Sequence, residues 1–150
     1  MDSYLAPSFK VAGTDVGNAA RPYFIAEAGS NFDQSLDTGR RLIDIASDAG
    51  ADAVKFQLFR ADILVPEGGD THAAFKAVEL NPDWVPALSE HAAARQITFM
   101  ASAFDIESVQ VLEEAGVPAH KIASSEAQVR SEPNVDPAFE KPTVLKGKGV

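Results

Sequence analysis

The chain has 150 residues, of which 45% are hydrophobic and 23% charged, and this composition predicts one globular domain with a sizeable core. The net charge of −9 argues against a broad nucleic-acid or membrane surface, because either needs clustered lysine and arginine, and no apolar run reaches the roughly 18 residues of a membrane span. Cysteine is absent, which excludes disulfides and thiolate sites and fits a cytoplasmic protein.

The predicted elements begin with a hairpin in an N-terminal segment that we place at residues 1–20. Its strands are expected at residues 9–11 and 15–16, with Gly13 at the turn. From residue 21 to residue 126, short apolar runs alternate with longer segments of helical period. The four runs of strand length cover residues 23–28, 52–57, 97–101 and 119–123.

The segments between these runs carry helix signals. In the first, Leu42, Ile45, Ala46 and Ala49 recur at helical spacing and are expected to face the core, and Gly50 supplies a left-handed stop. The later signals are a short helix at residues 73–78, a helix capped by Asp83 that tolerates Pro86 in its first turn and runs to Arg95, and a helix capped by Asp105 and ended by Gly116.

Strand and helix in strict alternation predict a parallel α/β sheet of the (β/α) TIM-barrel type, with about four to five units present. The segments at residues 49–55 and 115–121 agree at four positions of seven, and each places a lysine late in a strand. Residues 127–150 diverge from this pattern, since Pro133 and Pro137 suit a helix poorly. Residues 141–145 are compatible with a fifth strand.

Strand parity groups the polar residues of these runs. Because side chains alternate along a strand, one assignment places Glu27, Lys55, Ser102 and Lys121 on the same side of the sheet, late in four strands. A lysine in a strand is most often at an exposed edge. Here both lysines have apolar flanks, which indicates strands that are covered on both faces, and a buried unpaired ammonium is costly. A site for a small anion is therefore about as strongly favoured as an exposed edge. At about 4 Å and an effective dielectric near 20, each charge pair contributes on the order of 4 kcal/mol.

Other candidates favour structural roles. His72, His91 and His120 lack metal-ligand spacing, and Asp105 is better explained as a helix cap than as a catalytic acid. Trp84 and most of the nine phenylalanines are expected in the core.

Four motifs resemble those of the N-acetylneuraminate (sialic acid) synthase family, in order, over about residues 22–126. They are Phe-Ile-Ala-Glu-Ala-Gly-Ser-Asn from Phe24, Ala-Gly-Ala-Asp-Ala-Val-Lys-Phe-Gln from Ala49, Ala-Ser-Ala-Phe-Asp from Ala101, and Gly-Val-Pro-Ala-His-Lys-Ile-Ala-Ser from Gly116. The family condenses phosphoenolpyruvate with an amino sugar. The chain departs from the family at two places. Ala103 stands where the family has proline. Asn31-Phe32 stands where the family usually has Asn-His after the first strand, and this change implies the loss of a sugar or metal contact.

The resemblance implies roles for eight residues. Lys55 and Lys121, helped by Ser102 and Ser124, would hold the phosphate and carboxylate of phosphoenolpyruvate. Glu27 and Glu126 would handle protons and the water that adds to C2. On the sugar side the candidates are Asn31 and Gln57.

The resemblance also implies a divalent metal, Mn²⁺ or Mg²⁺, that polarises the sugar aldehyde. The family's two metal-binding histidines belong to later strands, and we identify no metal ligand in this chain. A full barrel needs about 250 residues. The expectation is therefore a sialic acid synthase-like transferase with little or no activity as this chain alone, acting as a homodimer or with a C-terminal part.

Two other functions stay open from the sequence. The first is a non-catalytic partial-barrel module that keeps the anion pocket for binding or assembly. The second is another phosphoenolpyruvate-dependent, aldolase-like sugar-acid synthase, against which the Ala-Gly-Ala-Asp-Ala-Val-Lys-Phe-Gln stretch argues. Sialic, legionaminic and related acid synthases share these early motifs, and Phe56-Gln57 favours the sialic and legionaminic branches slightly.

Overall fold

The computed structural model describes residues 8–123 and the strand Thr143–Leu145. A two-stranded antiparallel hairpin comes first, with β1 at Ser8–Val11 and β2 at Thr14–Gly17. A parallel sheet follows in the order β3-β4-β5-β6-β7. Its strands are β3 at Ile25–Gly29, β4 at Ala53–Leu58, β5 at Thr98–Ala103, β6 at His120–Ile122 and β7 at Thr143–Leu145.

The helices connect these strands. Their bounds are α1 at Leu36–Asp48, α2 at Ala61–Leu64, α3 at Asp70–Lys76, a 3-10 turn at Pro82–Trp84, α4 at Val85–Ala94 and α5 at Ile106–Glu114. Among the described residues, none of these helices has the length and apolar character to cross a membrane. The hairpin, the parallel sheet and the extra strand near the C-terminus are confirmed, whereas the domain boundaries at residues 20 and 126 stay predictions.

Two predicted helix ends are confirmed and one predicted start is wrong. Gly50 and Gly116 have φ values of 76° and 71°, which a glycine adopts without steric cost, and the Asp105 carboxylate accepts from the Ser108 amide at 2.8 Å. Asp83 does not cap α4. Instead, Asn81 accepts from the Asp83 amide at 3.0 Å and starts the 3-10 turn that leads into α4, where Pro86 lies in the first turn as expected.

The buried face of α1 matches the predicted one only in part, since Ala46 and Leu42 pack in the core as predicted, whereas Ile45 and Ala49 are exposed. Gly39, Ile43 and Ala46 are buried, whereas Ile45 is 64% exposed. Positions 39, 43 and 46 are separated by four and three residues and so lie on one side of a helix, whereas Ile45 is turned about 200° from Ile43. The hydrophobic residues of this segment fit two overlapping stripes, and packing against α4 selects one of them.

The two sides of the parallel sheet are covered differently. Side chains of α1, α4 and α5 pack with Val54, Phe56 and Phe99 in the main core. On the opposite side, Ala53 and Met100 join Val11 of the hairpin in a second cluster, with Ile25 packed against it. Helices on a single face, with strands in sequential order, are the arrangement of a (β/α) barrel, whose second face is the interior. The chain is therefore part of such a barrel, with the hairpin packed on the interior face.

An ion pair fixes the start of the sheet. The Arg21 guanidinium contacts both carboxylate oxygens of Asp52, and the Phe24 amide donates to the same carboxylate at 2.8 Å. These bonds, the Arg21 one foremost, hold the pKa of Asp52 below its ordinary value. They join the residues that precede β3 and β4, so that Ile25 pairs with Ala53 and Glu27 with Lys55.

Candidate functional site

The carboxyl ends of the strands bring the predicted polar residues into two neighbouring rows. Strand register places Glu27 opposite Lys55, and it places Ser102 between Gln57 and Lys121. In barrels of this class the carboxyl ends of the strands carry the active site. Each of these residues follows, by two or four positions, a residue that belongs to the second, hairpin-side cluster or packs against it, namely Ile25, Ala53, Met100 or Ala119. The polar residues therefore lie on the predicted face of the sheet.

Lys55 and Glu27 form an ion pair at this rim. The Lys55 ammonium donates to Glu27 Oε2, and the Lys55 side chain is 12% exposed whereas that of Glu27 is 53% exposed. The lysine is thus held within the sheet face while the carboxylate reaches toward solvent. An anion that enters from the open side approaches the ammonium and meets the carboxylate beside it.

Lys121 and Ser102 form the second polar pair. Lys121 is 8% exposed and Ser102 3% exposed, and the Lys121 ammonium donates to the Ile122 carbonyl at 2.8 Å. From the register and the spacing of parallel strands, the Cα atoms of Lys55 and Lys121 are about 12 Å apart. The flexible four-carbon stem of each lysine allows both ammonium groups to approach one small anion between them.

The end of β3 brings Asn31 beside Glu27. The strand register is irregular between Glu27 and Gly29, and Gly29 has a φ of 56°. The point where a Cβ of Gly29 would stand is 3.7 Å from Asn31 Nδ2 and 3.8 Å from Glu27 Oε1. The Asn31 amide donates to the Ala28 carbonyl at 3.0 Å. The bulge thus turns an amide and a carboxylate toward the same space.

Phe32 does not belong to this rim. It is fully buried in the helix-side core, where its ring packs 6.5 Å from Phe56 and 6.3 Å from Trp84, measured between centroids. Phe32 itself therefore makes no contact at the rim, and the loss of a sugar or metal contact at this position stays a prediction. An aromatic ring here adds to the core beneath the loop.

Sequence reasoning missed Arg60, which follows β4 at the same rim. Its guanidinium lies 2.5 Å from Glu107 Oε2 and 3.7 Å from Asp105 Oδ1, so it joins the loops after β4 and β5. It also missed Ser30, whose buried hydroxyl has no hydrogen-bond partner among the described residues. The available signal was position, because polar residues that directly follow a parallel strand lie at the carboxyl-end rim.

A cavity at the opposite end of the strands does not coincide with this rim. It has a volume of about 530 Å³ and is lined by residues that precede β4, β5 and β6, among them Asp52, Gln96 and Gly116. The charged group in this lining, Asp52, is already bound by Arg21. We therefore place the candidate site at the carboxyl ends, where several polar side chains converge.

Comparison with known proteins places the chain in a family. The sequence profile of the NeuB family matches residues 42–131. The chain belongs to the NeuB family.

Among its relatives, it is 37% identical over 124 residues to the N,N'-diacetyllegionaminic acid synthase of Legionella pneumophila, covering 73% of this chain and 35% of the relative. It is 32% identical over 149 residues to the human N-acetylneuraminate-9-phosphate synthase, covering 91% and 40%.

A solved NeuB-type structure has the same fold. The N-acetylneuraminic acid synthetase of Leptospira borgpetersenii, in complex with citrate, superposes with a TM-score of 0.74 at 31% identity, over 79% of this chain and 41% of the other. The chain thus spans between 35% and 41% of the length of these three proteins.

The divalent metal that the resemblance implies finds no fitting ligand set in this part of the NeuB chain. Within residues 8–123, no group of three or more histidine, aspartate or glutamate side chains could hold a metal. The three histidines lie apart, and each contacts one carboxylate: His72 with Asp62, His91 with Asp44 and His120 with Glu113.

Two predicted site residues, Ser124 and Glu126, lie outside the described residues, as do most of the divergent residues 127–150. Their roles stay predictions.

Proposed function

We propose that the strand-end site binds phosphoenolpyruvate, and that the protein serves the condensation of phosphoenolpyruvate with an N-acetylated amino sugar, such as N-acetylmannosamine, to give a nonulosonic acid and phosphate. Membership of the NeuB family supports the reaction class, since the relatives compared above bear the names of nonulosonic acid synthases. Because the chain spans only part of these relatives, the activity of the whole protein is part of this proposal.

The observation that carries the proposal is the pair of poorly exposed strand-end lysines. In the free protein the Lys55 ammonium pairs with Glu27 and the Lys121 ammonium donates to the Ile122 carbonyl, so the argument rests on where the two charges lie. Lys55 and Lys121 lie at the same end and on the same face, two strands apart. Phosphoenolpyruvate carries two anionic groups, a phosphate and a carboxylate, on a three-carbon frame. Because the Cα atoms of the two lysines are about 12 Å apart and each has a four-carbon stem, one ammonium can reach the phosphate and the other the carboxylate.

In the proposed reaction, Lys55 and Lys121 hold the two anionic groups, and the Ser102 and Ser124 hydroxyls donate hydrogen bonds to them. The C3 carbon attacks the aldehyde of the open-chain sugar and forms the new C–C bond, while positive charge develops at C2. Water then adds to C2, and the tetrahedral intermediate expels phosphate as the C2–O bond breaks.

Glu27 is suited to stabilise the charge at C2 and to take a proton from the attacking water. It lies beside Lys55 and is half exposed, so it faces the space where the substrate would bind. A carboxylate fixed near a developing cation stabilises it without reorganisation. Glu126 is the second candidate for this role.

Asn31 and Gln57 are proposed to contact the acceptor sugar. The Asn31 amide flanks Glu27 on the open side of the rim, and Gln57 lies beside Ser102 in the strand register. Amide side chains offer both donors and acceptors, which suits hydroxyl and acetamido groups. The names of the relatives imply different acceptors, so the acceptor is assigned here only as an N-acetylated amino sugar.

A binding experiment tests the proposal. Calorimetric titration of the purified 150-residue chain with phosphoenolpyruvate should detect binding. Lys55→Ala and Lys121→Ala should each weaken it at least tenfold, as expected for loss of a charge-assisted contact of about 1.5–3 kcal/mol. Lys10→Ala is the matched control, because Lys10 lies on the hairpin and pairs with Asp15 at 2.6 Å.

The outcomes separate the candidate functions. Absence of binding, or an equal loss in Lys10→Ala, contradicts the proposed site. Binding without product from phosphoenolpyruvate and N-acetylmannosamine is the expected result for this chain alone and fits the binding or assembly module equally, whereas product formed once a C-terminal part is supplied favours the synthase. Turnover by this chain alone would refute the prediction that it has little or no synthase activity. The cytoplasmic location and the dependence on a second copy or a C-terminal part belong to the same proposal. Sedimentation of the purified chain tests whether two copies associate.

A further inference from the structure

The loop between β3 and α1 contains two adjacent residues in an unfavourable conformation. Asp33 and Gln34 have φ values of 49° and 50°, in the left-handed region that residues with a side chain seldom adopt. The loop is fixed on both sides of them. Phe32 is buried in the core, and the Ser35 hydroxyl accepts from the Thr38 amide at 3.2 Å and caps α1. Something must compensate for two consecutive left-handed residues between these anchors.

The side chain of Gln34 provides that compensation. Its amide nitrogen donates to the Ala77 carbonyl at 3.0 Å and to the Glu79 carbonyl at 2.8 Å. Both acceptors lie more than forty residues further along the chain, in the connection from β4 to α4. A left-handed backbone at residue 34 is what directs the amide across to this second segment. The two loops that follow β3 and β4 are therefore joined by one side chain.

The second segment is anchored at both ends, and its middle is held less firmly. Ala61 and Leu80 are buried, and the Glu79 carboxylate accepts from the Ala61 amide, which joins the end of the segment to its beginning. The helix α3 between them has no buried residue. It is held by the ion pair between Lys76 Nζ and Asp62 Oδ2 at 3.0 Å and by the ring contact between Phe59 and Phe75, with centroids 5.6 Å apart. The two bonds from Gln34 attach the residues that follow α3 to the neighbouring loop.

We propose that Gln34 is a positioning residue that locks the β3–α1 loop to the residue 61–80 segment and that this lock, together with the bond from the Asn31 amide to the Ala28 carbonyl, orients Asn31 for the acceptor sugar. Asn31 lies three residues before Gln34 in the same loop, and its amide faces the space beside Glu27. Lys55 and Lys121 are held by strand register and do not depend on this lock. The sugar-side role rests on the function proposed above, whereas the lock itself does not.

Hydrogen exchange tests the lock without any ligand. Gln34→Ala removes both bonds, and Gln34→Glu keeps the shape of the side chain but removes its donors. In both variants, amide exchange in peptides covering residues 30–36 and 73–80 should rise about tenfold, as expected for the loss of two neutral hydrogen bonds. Gln96→Ala is the matched control, because Gln96 is also an exposed left-handed glutamine, with a φ of 58°, at the opposite end of the sheet.

The side-chain amide of Asn31 supplies a second readout. Nitrogen-15 NMR should show its two proton signals moving toward those of a free amide in both Gln34 variants and unchanged in Gln96→Ala. Exchange and Asn31 signals that match the wild type, or that change equally in Gln96→Ala, overturn the lock.

Binding then tests the sugar-side role. With phosphoenolpyruvate bound, the affinity for N-acetylmannosamine should fall about fivefold in Gln34→Ala, the effect of one misplaced neutral hydrogen bond, while phosphoenolpyruvate affinity stays within about twofold, because the strands hold both lysines. Equal loss of both affinities, or a wild-type chain that binds no sugar, overturns the acceptor role. A wild-type chain that binds no phosphoenolpyruvate contradicts the proposed function itself, and hydrogen exchange still decides on the lock.

Discussion

Replacement of Glu27 by glutamine should tighten the binding of phosphoenolpyruvate rather than weaken it. In the free protein Glu27 is the partner of the Lys55 ammonium, and a bound anion has to share or replace that partner. The carboxylate also repels the anion directly. Glu27→Gln keeps the size of the side chain and removes its charge, so Lys55 becomes more available to the ligand.

The magnitude follows from the exposure of the two groups. The Coulomb energy of a pair at contact is on the order of 4 kcal/mol at an effective dielectric of 20, but the Glu27 side chain is 53% exposed, and water and ions screen much of it. Measured exposed pairs contribute about 0.2–1 kcal/mol. Since about 1.4 kcal/mol corresponds to a factor of ten, the dissociation constant should fall by about 1.4- to fivefold. Raising the salt concentration should reduce the gain.

Isothermal titration at low and high salt is the assay, and Glu114→Gln is the matched control. Glu114 is exposed at the end of α5, on the side of the sheet away from the lysines, so it changes the net charge equally without touching the rim. Unchanged or weaker binding in Glu27→Gln refutes the reasoning, because it would mean that Glu27 positions Lys55 instead of competing for it. Equal tightening in both variants would reduce the effect to net charge.

Three further predictions concern the scaffold. The pKa of Asp52 is lowered in the folded protein, so its carboxylate stabilises the fold above the ordinary value near 3.8, and this contribution is lost as the pH falls through the lower folded value. Asp52→Asn should lower the free energy of unfolding by about 1 kcal/mol at neutral pH, the upper end for an ion pair with an exposed arginine. Urea unfolding at several pH values should then show a smaller loss of stability toward acid pH than in the wild type. Phe32→Ala should lower the free energy of unfolding by about 3–5 kcal/mol in chemical denaturation. Phe32→His should also destabilise the fold and should not create a metal site. A stable histidine variant that binds metal would contradict the core placement of residue 32. Gly116→Ala should lower the free energy of unfolding by about 1–2 kcal/mol and so lower the melting temperature. The cause is backbone strain at a φ of 71°, since nothing lies within 4 Å of the added Cβ. An unchanged melting temperature would contradict this prediction.

Local patterns predicted much of the scaffold. The helix stops at Gly50 and Gly116 and the cap at Asp105 depend on residues next to each other in the chain, and all three are confirmed. The predicted start of α4 and part of the predicted buried face of α1 are wrong. Asn81 rather than Asp83 begins the turn that leads into α4, and the packing of α1 on α4 buries Ile43 and leaves Ile45 exposed. Turn geometry and helix packing decide both features.

The polar rim shows the same division. The sequence by itself determined which residues share a face within each strand, because side-chain direction along a strand alternates with a period of two residues and needs no distant information. One assignment of these faces predicted Glu27, Lys55, Ser102 and Lys121 on one side of the sheet, and the strand register aligns them there. Only the tertiary structure decided that Glu27 pairs with Lys55, that Phe32 turns into the core, and that Gln34 bonds to Ala77 and Glu79. Each of these depends on strand register, a bulge or a left-handed turn, which bring together residues far apart in the chain, and local periodicity carries no information about such distances.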